Sequence, residues 1–433
     1  MTDHGFHVAI VGGGIGGLAL AQGLKKAGRS VALYERDRTP TDRLQGYRIR
    51  ISPKGSAALH SCLPAELFDI FAATCSVGNG GIRFLTEKME ELLSLEIRGE
   101  PGAVAQNRSA SRITLRQVLL SGLDGIVHFG RTFTHYEETS TGIVLHFADG
   151  GTATCDVLVG ADGGNSRVRR QFLPHAQRVD TGAIGIAAKA MLTDENRRRL
   201  PPRILEGSGL VMSPGRRGMF IGLHEFAPDA PTLPAGPDGD AAPAAGALFD
   251  NTMSYLFWAY GGMRADLEQE ALIEQLAPAD LQRLVLDRIR NWHPDYSVLV
   301  CASDPTTFNV VSIKTSVPVA PWPSRRITLI GDAIHSMTPY RGIGANTALR
   351  DAALLCRNLD EAARGSASLE AAISDYERQM REYGFAAVRA SSQALKQSVG
   401  DKGVGFHLAK MYFRAVNASP PLKRRVIASF GAE

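Results

Sequence analysis

Apolar positions near the start of the chain alternate, then recur with helical spacing, then alternate again. They predict a strand over 7–11, a glycine turn over 12–17, a helix over 18–27 and a second strand over 30–34. A strand, a crossover helix and a second strand in this order form a βαβ unit, whose strands are parallel. The chain is therefore expected to open with a parallel sheet.

Beyond this unit the periodicity predicts a more varied set of elements. Helices are expected over 112–123 and 278–292, and strands over 125–133, 142–147, 157–159, 209–212, 218–224, 253–260 and 327–330, followed by a mostly helical remainder. The long alternating segments after about residue 182 are typical of an antiparallel sheet. The segment 227–246 is rich in Pro, Ala, Gly and Asp, a composition that buries too little apolar area to fold alone, so a surface insertion is expected there.

Composition removes several classes of function. The formal charge of +4 is the small excess of 48 basic over 44 acidic residues, and no block of Lys and Arg suggests a nucleic-acid partner. The five cysteines lie far apart, which disfavours a zinc site and a disulfide framework and favours the cytoplasm. No apolar stretch reaches the ~18 residues of a membrane span.

The first glycine turn has the features of a dinucleotide-binding fingerprint. Gly12, Gly14 and Gly17 follow a strand and begin a helix, so backbone N–H groups can approach a pyrophosphate without intervening Cβ atoms. Glu35 ends the second strand, where its carboxylate can accept hydrogen bonds from ribose hydroxyls and would repel a 2′-phosphate. This pattern favours FAD or NAD over NADP at this turn.

Two later segments also combine a strand end, glycines and an acidic residue. The segment 160–169 reads GADGGNSRVR and contains Asp162, and the segment 331–346 reads GDAIHSMTPYRGIGAN and contains Asp332. A carboxylate at a strand end suits ribityl or ribose hydroxyls, and glycines let the backbone approach a flat ring.

Together the three segments resemble the class A flavoprotein monooxygenases, the p-hydroxybenzoate hydroxylase-like family, in order and spacing. The resemblance implies an α/β fold: a Rossmann-like FAD-binding domain of the GR2 type with a mostly parallel sheet, an inserted antiparallel-sheet substrate domain and C-terminal helices. The FAD-binding domain is expected to comprise 1–75, 111–180 and 296–365, the substrate domain 76–110 and 181–295, and the helical region 366–433.

The resemblance also implies which residues hold the cofactor. The FAD diphosphate is expected at Gly12, Gly14, Ile15 and Gly17, and the adenosine at Glu35 and Arg36. Asp162 is expected to contact both FAD and the nicotinamide cofactor, and Asp332 the ribityl chain. The flavin pyrimidine is expected at Gly344, Ala345 and Asn346. Arg112 and Arg116 both fit the arginine that approaches FAD, with Arg116 preferred. Gly46, Tyr47 and Arg48 resemble a segment that contacts FAD or the pyridine nucleotide, although Arg48 and Arg50 also fit solvated strand charges.

The activity implied is hydroxylation of a small aromatic or polyketide-like substrate through a flavin C4a-hydroperoxide, with NADPH or NADH and O2 as co-substrates and a monomer or homodimer as the assembly. Pro339 and Gly342 are expected beside the reacting oxygen. Arg341 departs from the small residues or the Phe-Gly pair of many relatives, and it is a candidate for binding an anionic substrate, for pointing to solvent or for pairing with Asp351. Candidates for a base or orienting group are His224, Tyr255, Tyr260 and Arg83, and His335 is expected to be structural or near the flavin edge.

Two alternatives stay open at this point. One is an FAD-dependent epoxidase or prenyl-lipid reductase, which shares the fold. The other is a non-catalytic FAD-fold binding or regulatory protein, against which the intact segment at Gly331 and Asp332 argues.

Overall fold

A computed structural model describes residues 5–40, 42, 48–76, 81–96, 103–226, 253–266, 273–399 and 404–431. The segment expected to form a surface insertion, 227–246, lies outside the described residues, and so do Gly46 and Tyr47. The remaining residues form four sheets and two main hydrophobic cores.

The described strands, in chain order, are β1 (His7–Val11), β2 (Ser30–Tyr34), β3 (Arg48–Ile51), β4 (Ile82–Thr86), β5 (Glu91–Leu95), β6 (Arg108–Ser111), β7 (Val127–His128), β8 (Phe133–Thr139), β9 (Gly142–Phe147), β10 (Thr152–Cys155), β11 (Val157–Gly160), β12 (Arg178–Met191), β13 (Ser208–Met212), β14 (Arg217–His224), β15 (Tyr255–Met263), β16 (Asn309–Ser316) and β17 (Ile327–Leu329).

The described helices are α1 (Ile15–Lys26), α2 (Pro53–Cys62), α3 (Ala65–Ala73), α4 (Arg112–Leu120), α5 (Arg167–Phe172), α6 (Asp194–Arg199), α7 (Pro202–Leu205), α8 (Pro278–Arg288), α9 (Pro294–Cys301), α10 (Asp332–His335), α11 (Gly344–Ala363), α12 (Leu369–Val399), α13 (Val404–Ala418) and α14 (Pro420–Gly431). Among them, none combines the length and the apolar composition that crossing a membrane requires.

The N-terminal part of the chain forms the expected parallel sheet. Its strand order is β17-β11-β1-β2-β7, and each neighbouring pair is parallel. The predicted first two strands are confirmed at both ends, but α1 begins at Ile15 and not at residue 18. Gly16 and Gly17 take helical backbone there because their missing Cβ atoms let the helix pack closely on Ala348 and on the Gly12 carbonyl.

The second large sheet has seven strands in the order β16-β12-β15-β14-β13-β4-β5. It is antiparallel as expected, apart from the parallel pair β13 and β4. Its strand β16 pairs with the 14-residue β12, so the sheet continues to Ser316, past the expected boundary at residue 295. The helix expected over 278–292 ends at Arg288, and a separate helix begins at Pro294.

The two faces of the seven-stranded sheet have different surroundings. Every second residue of the central strands, including Ile186, Ile221 and Trp258, is buried against α8 and α9 in one hydrophobic core. Because side chains alternate across a strand, the intervening residues face the opposite side, toward the parallel-sheet domain.

A buried carboxylate joins four elements at the end of β17. Asp351 of α11, with no exposed surface, accepts hydrogen bonds from the backbone N–H of Gly331 (2.7 Å), from His335 Nε2 of α10 (2.6 Å) and from the Tyr383 hydroxyl of α12 (2.6 Å). Burial alone would lower the pKa of His335, but the charge and hydrogen bond of Asp351 outweigh it and raise that pKa. The pair therefore fixes the turn that follows β17.

The variant Asp351→Ala is expected to lose about 3–5 kcal/mol of stability, because it leaves His335 buried without its partner. In wild type the pKa of His335 is higher in the folded than in the unfolded protein. This difference stabilises the fold fully at pH values below the pKa of the unfolded protein, and the contribution is lost as the pH rises through the pKa of the folded protein. Without Asp351, burial lowers the pKa instead, so the deficit should grow as pH falls below about 6.5.

Thermal unfolding at several pH values measures this deficit. Asp124→Asn, at an exposed carboxylate, is the matched control and should unfold like wild type. A deficit that is the same at pH 8 and pH 5.5 would contradict the buried ion pair.

Candidate functional site

The first glycine turn is held by backbone contacts that only glycine allows. Gly12 has a φ of +112°, and a Cβ there would lie 2.4 Å from the Ala161 carbonyl oxygen. A Cβ at Gly17 would lie 2.2 Å from the Gly12 carbonyl oxygen, whereas one at Gly14 would meet nothing within 4 Å. Gly14 is the N-cap of α1 and offers no side-chain cap, so the first N–H groups of the helix receive no hydrogen bond from a capping side chain.

Glu35 lies directly against this turn. Its Oε2 accepts a hydrogen bond from the Gly13 N–H (2.5 Å) and its Oε1 accepts one from the Asp37 N–H (2.9 Å). The carboxylate is thus fixed at the end of β2, beside the N-terminus of α1. The neighbouring Arg36 is exposed.

The two arginines of α4 differ in their surroundings. Arg116 donates from Nε to the Gly13 carbonyl (3.2 Å) and from Nη1 to the Pro40 carbonyl (2.5 Å), so it packs on the glycine turn. Arg112, at the first position of the helix, is exposed and lies one turn away from Arg116. Arg116 supports the shape of the turn, while Arg112 leaves its guanidinium open to a ligand.

The second turn, between β11 and α5, packs on the first. Asp162 uses Oδ2 to accept hydrogen bonds from the backbone N–H groups of Arg167 (2.6 Å) and Val168 (3.3 Å), which caps the helix. The sequence reasoning missed Arg169, which is buried and donates to the carbonyls of Ala333 (2.8 Å) and Gly164 (3.1 Å). Arg169 therefore joins the second turn to the third. The sequence feature that could have identified it is an arginine that follows a buried strand and a glycine turn.

The third turn follows β17 and presents its acid to solvent. Asp332 is exposed at the carboxyl end of the strand. A short 3₁₀ turn over Pro339–Arg341 ends at Gly342, whose left-handed φ of +62° favours glycine. Pro339 and Gly342 are exposed, and α11 then begins at Gly344 without a side-chain cap.

Asn346 is committed to the protein backbone. Its Oδ1 accepts from the Ser52 N–H (2.8 Å), and its Nδ2 donates to the Arg50 carbonyl (2.9 Å) and the Gly342 carbonyl (3.3 Å). It therefore joins β3 to the start of α11. Any contact of this segment with a ring would come from the backbone of Gly344 and Ala345.

A polar cluster lies between β3 and the face of the seven-stranded sheet that is opposite α8 and α9. Arg48 donates from Nε to the Ser109 hydroxyl (2.6 Å), and that hydroxyl lies 3.4 Å from His224 Nδ1. The His224 ring stacks on Tyr255 (5.2 Å between centroids), and the Lys189 Nζ lies 4.6 Å from the centre of the Tyr255 ring. Five strands, β3, β6, β12, β14 and β15, thus contribute one side chain each.

Burial controls the charges in this cluster. It lowers the pKa of His224 to about 3, assisted by Arg48 and Lys189, so this imidazole is neutral at physiological pH. It lowers the pKa of Lys189 to about 8 and that of Arg48 to about 10. His224 Nε2 is buried and has no hydrogen-bond partner in the part of the chain that the structure describes.

Small residues form the floor beside this cluster. On the same face, Gly185 pairs with Gly261 and Ala187 pairs with Ala259, and a Cβ at Gly185 would meet only one atom, at 4.0 Å. Phe257 stays partly exposed although it belongs to a central strand. The face is therefore incompletely covered by protein.

Several residues considered from sequence lie elsewhere. Tyr260 packs in the core on the opposite face of the sheet, because it follows Ala259 by one residue. Arg83 forms an ion pair with Glu206. The predicted pairing of Arg341 with Asp351 was wrong, since Asp351 is buried and paired with His335. Arg341 instead lies near Arg50, because burial and the charge of Arg341 both lower the pKa of Arg50.

Lys189 and Ser109 were not found by sequence reasoning. The available signal for Lys189 was a single charge within the apolar run 183–191. A lysine on a strand that has a neighbour on each side can be buried, and only the sheet order reveals that β12 lies between β16 and β15.

Known proteins match both the sequence and the fold. An NAD(P)-binding Rossmann-like domain model matches residues 10–70, and an FAD binding domain model matches residues 282–391. A dual O-methyltransferase/FAD-dependent monooxygenase of Phaeosphaeria nodorum is 34% identical over 80% of this chain, which spans 39% of that protein. An FAD-dependent monooxygenase of Penicillium herquei is 28% identical, with 88% of each chain covered.

Among solved structures, a Photorhabdus luminescens protein described as a candidate FAD-containing monooxygenase is 35% identical and superposes with a TM-score of 0.78 over 91% of this chain and 98% of that one. Klebsiella pneumoniae HpxO, solved with FAD and uric acid, shares the fold at 21% identity, with a TM-score of 0.75 over 98% of this chain and 96% of that one. With its three fingerprint turns at one sheet edge, the chain belongs to the family of FAD-dependent monooxygenases.

Proposed function

We propose that the protein hydroxylates a small aromatic or polyketide-like substrate, using FAD, NADPH or NADH, and O2. One oxygen atom of O2 enters a C–H bond of the substrate, the other leaves as water, and NAD(P)H with one proton supplies the two electrons. The observation that carries this proposal is the partly uncovered, small-residue face of the seven-stranded sheet opposite the turns that carry the family fingerprint.

The residues present fit FAD. The N-termini of α1 and α11 both lack side-chain caps, so their N–H groups are available to oxygen atoms of a ligand. Glu35 and Arg36 would hold the adenosine side, Arg112 the FAD chain and Asp332 the ribityl hydroxyls. Bound FAD would supply the redox chemistry that amino acid side chains lack.

The floor of small residues supports a flat substrate. A Cβ at Gly185 would meet only one atom, at 4.0 Å, so the sheet leaves space above this residue, while the Tyr340 hydroxyl bounds the space at Gly261, where a Cβ would lie 2.9 Å from it. Phe257 offers an apolar, partly exposed ring at the same face. An aromatic ring lying on this floor would bury apolar area and exclude water from the reacting atoms.

The polar cluster supports an acidic oxygen on that substrate. Arg48 and Lys189 bring two cationic side chains toward the buried Tyr255 and His224. An ionised phenol or enol there would gain charge-assisted hydrogen bonds, which are stronger than neutral ones. Electron donation from such an oxygen also makes an aromatic ring more reactive toward oxygen transfer.

His224 fits an orienting role better than that of a base. An imidazole whose pKa is lowered to about 3 takes up a proton from a phenol poorly. Lys189, with a pKa of about 8, is the group of the cluster whose proton affinity is nearer to that of a phenol. We assign to Lys189 the stabilisation of the substrate oxygen anion and to His224 a hydrogen bond through Nε2.

The proposal is tested with purified protein, a visible spectrum and a panel of phenolic and polyketide compounds. Flavin absorbance bands, faster NADPH or NADH oxidation with one compound, and a product heavier by one oxygen atom are expected. Incorporation of label from ¹⁸O2 identifies the source of that atom. If the protein binds FAD but oxidises no NAD(P)H with any compound of the panel, the binding-protein alternative is favoured. Failure to bind FAD would refute the proposal.

Gly14 and Gly17 separate cofactor binding from folding. Gly14→Ala should leave the apoprotein as stable as wild type, because its Cβ meets no atom, but should weaken FAD binding at least about tenfold by obstructing the helix N-terminus. Gly17→Ala should lower the stability of the apoprotein by about 1–3 kcal/mol, because its Cβ collides with the Gly12 carbonyl. Thermal unfolding of the apoproteins and fluorescence titration with FAD check both, and normal FAD binding by Gly14→Ala would contradict the assigned site.

Lys189→Met should raise KM for an acidic substrate by roughly 10- to 150-fold, the equivalent of a charged hydrogen bond of about 1.5–3 kcal/mol. Lys189→Arg, which keeps the charge, is the control and should retain most of the affinity. The side chains that face Lys189 from neighbouring strands include Tyr255, His224 and Arg48.

For wild type, substrate affinity should fall as pH rises through about 8, because Lys189 then loses its proton. Steady-state kinetics at pH 6.5–9.5 check this loss, with a substrate that is already ionised across the range. The same pH profile in Lys189→Met would show that another group is responsible.

A further inference from the structure

Two histidines and a glutamate meet on the small three-stranded sheet of β8, β9 and β10, and none of the three belongs to a fingerprint turn. His135 of β8 and His146 of β9 are cross-strand partners, and their rings stack at 4.3 Å with an angle of 3° between planes. Glu137, two residues after His135 on the same face of β8, places its Oε1 at 3.6 Å from His146 Nε2 and 3.9 Å from His135 Nε2. The three ligand atoms all lie within 4.8 Å of one another.

Thr134 fixes which nitrogen of His135 carries the proton. Its hydroxyl donates its single hydrogen to the His146 carbonyl (2.9 Å), and the same oxygen lies 3.1 Å from His135 Nδ1. Because that hydrogen is already used, the hydroxyl accepts from the His135 Nδ1–H. The Nε2 of neutral His135 therefore turns a lone pair toward the cluster.

The ligand atoms of the cluster are too far apart to form hydrogen bonds with one another. His146 Nε2 is buried as an atom and has no hydrogen-bond partner among the described residues, since 3.6 Å to Glu137 is too long. A desolvated nitrogen without a partner is costly, and a lone pair facing a carboxylate adds repulsion. A cation between the three atoms would remove both costs.

We propose that His135, Glu137 and His146 form a binding site for a divalent transition-metal ion, with Zn²⁺ as the best fit. Two imidazoles and one carboxylate are ligands that Zn²⁺ prefers, at about 2.0–2.2 Å, and three protein ligands leave a coordination position for water or for a group of another molecule. The Thr134 hydroxyl orients His135 through its second nitrogen, as groups behind metal-bound histidines do. The site is independent of the proposed oxygenase chemistry.

Calorimetric titration of tag-free protein with ZnCl2 tests the site, and the visible absorption of bound Co²⁺ reports its geometry. Wild type should bind one equivalent through this site. His135→Ala and His146→Ala should each remove that equivalent, and Glu137→Gln should weaken it. Thr134→Val should lower the affinity about 10- to 100-fold, since it removes the hydrogen bond that orients His135.

His175→Ala, at an exposed histidine elsewhere on the surface, is the matched control and should bind like wild type. Thermal unfolding of the metal-free variants checks that each of them is folded. The proposal is overturned if wild type binds no Zn²⁺, if the double variant of His135 and His146 binds as wild type does, or if His175→Ala weakens binding as much as His135→Ala.

Discussion

The buried carboxylate of Asp351 is the interaction on which the arrangement of the candidate site depends most. It receives the Gly331 N–H at the end of β17, the His335 ring of α10 and the Tyr383 hydroxyl of α12. A carboxylate removed from water is costly unless its oxygens are fully used, so the three donors must be present together. As a result, the third turn, α11 and α12 are fixed relative to the strand from which Asp332 emerges.

The other two turns reach the same edge through steric constraints. Gly12 allows the backbone of the first turn to touch Ala161 and Asp162, and Arg169 extends from the second turn to Ala333 in the third. Each contact involves backbone atoms, which substitutions elsewhere leave in place.

The sequence was sufficient for the parts of the fold set by local rules. Strands β1 and β2 were predicted at both ends, because glycine spacing and apolar alternation act within a few residues. The membership of β16 in the seven-stranded sheet was not, since it depends on pairing with β12 more than a hundred residues earlier. Likewise, the contact of Arg116 with the Gly13 carbonyl was not predicted, and Lys189 gained meaning only when its neighbours Tyr255 and His224 were known.

The polar cluster illustrates the conflict between stability and function in the substrate face. Burial lowers the pKa of Lys189, which means that its charged form is held at a cost to the fold, and burial keeps His224 neutral. His224 Nε2 adds a buried atom that is without a hydrogen bond in the described part of the chain. A cluster kept only for stability would be replaced by apolar side chains, as the opposite face of the same sheet demonstrates with Ile186, Ile221 and Trp258. The acidic oxygen of the proposed substrate would satisfy these groups when it binds.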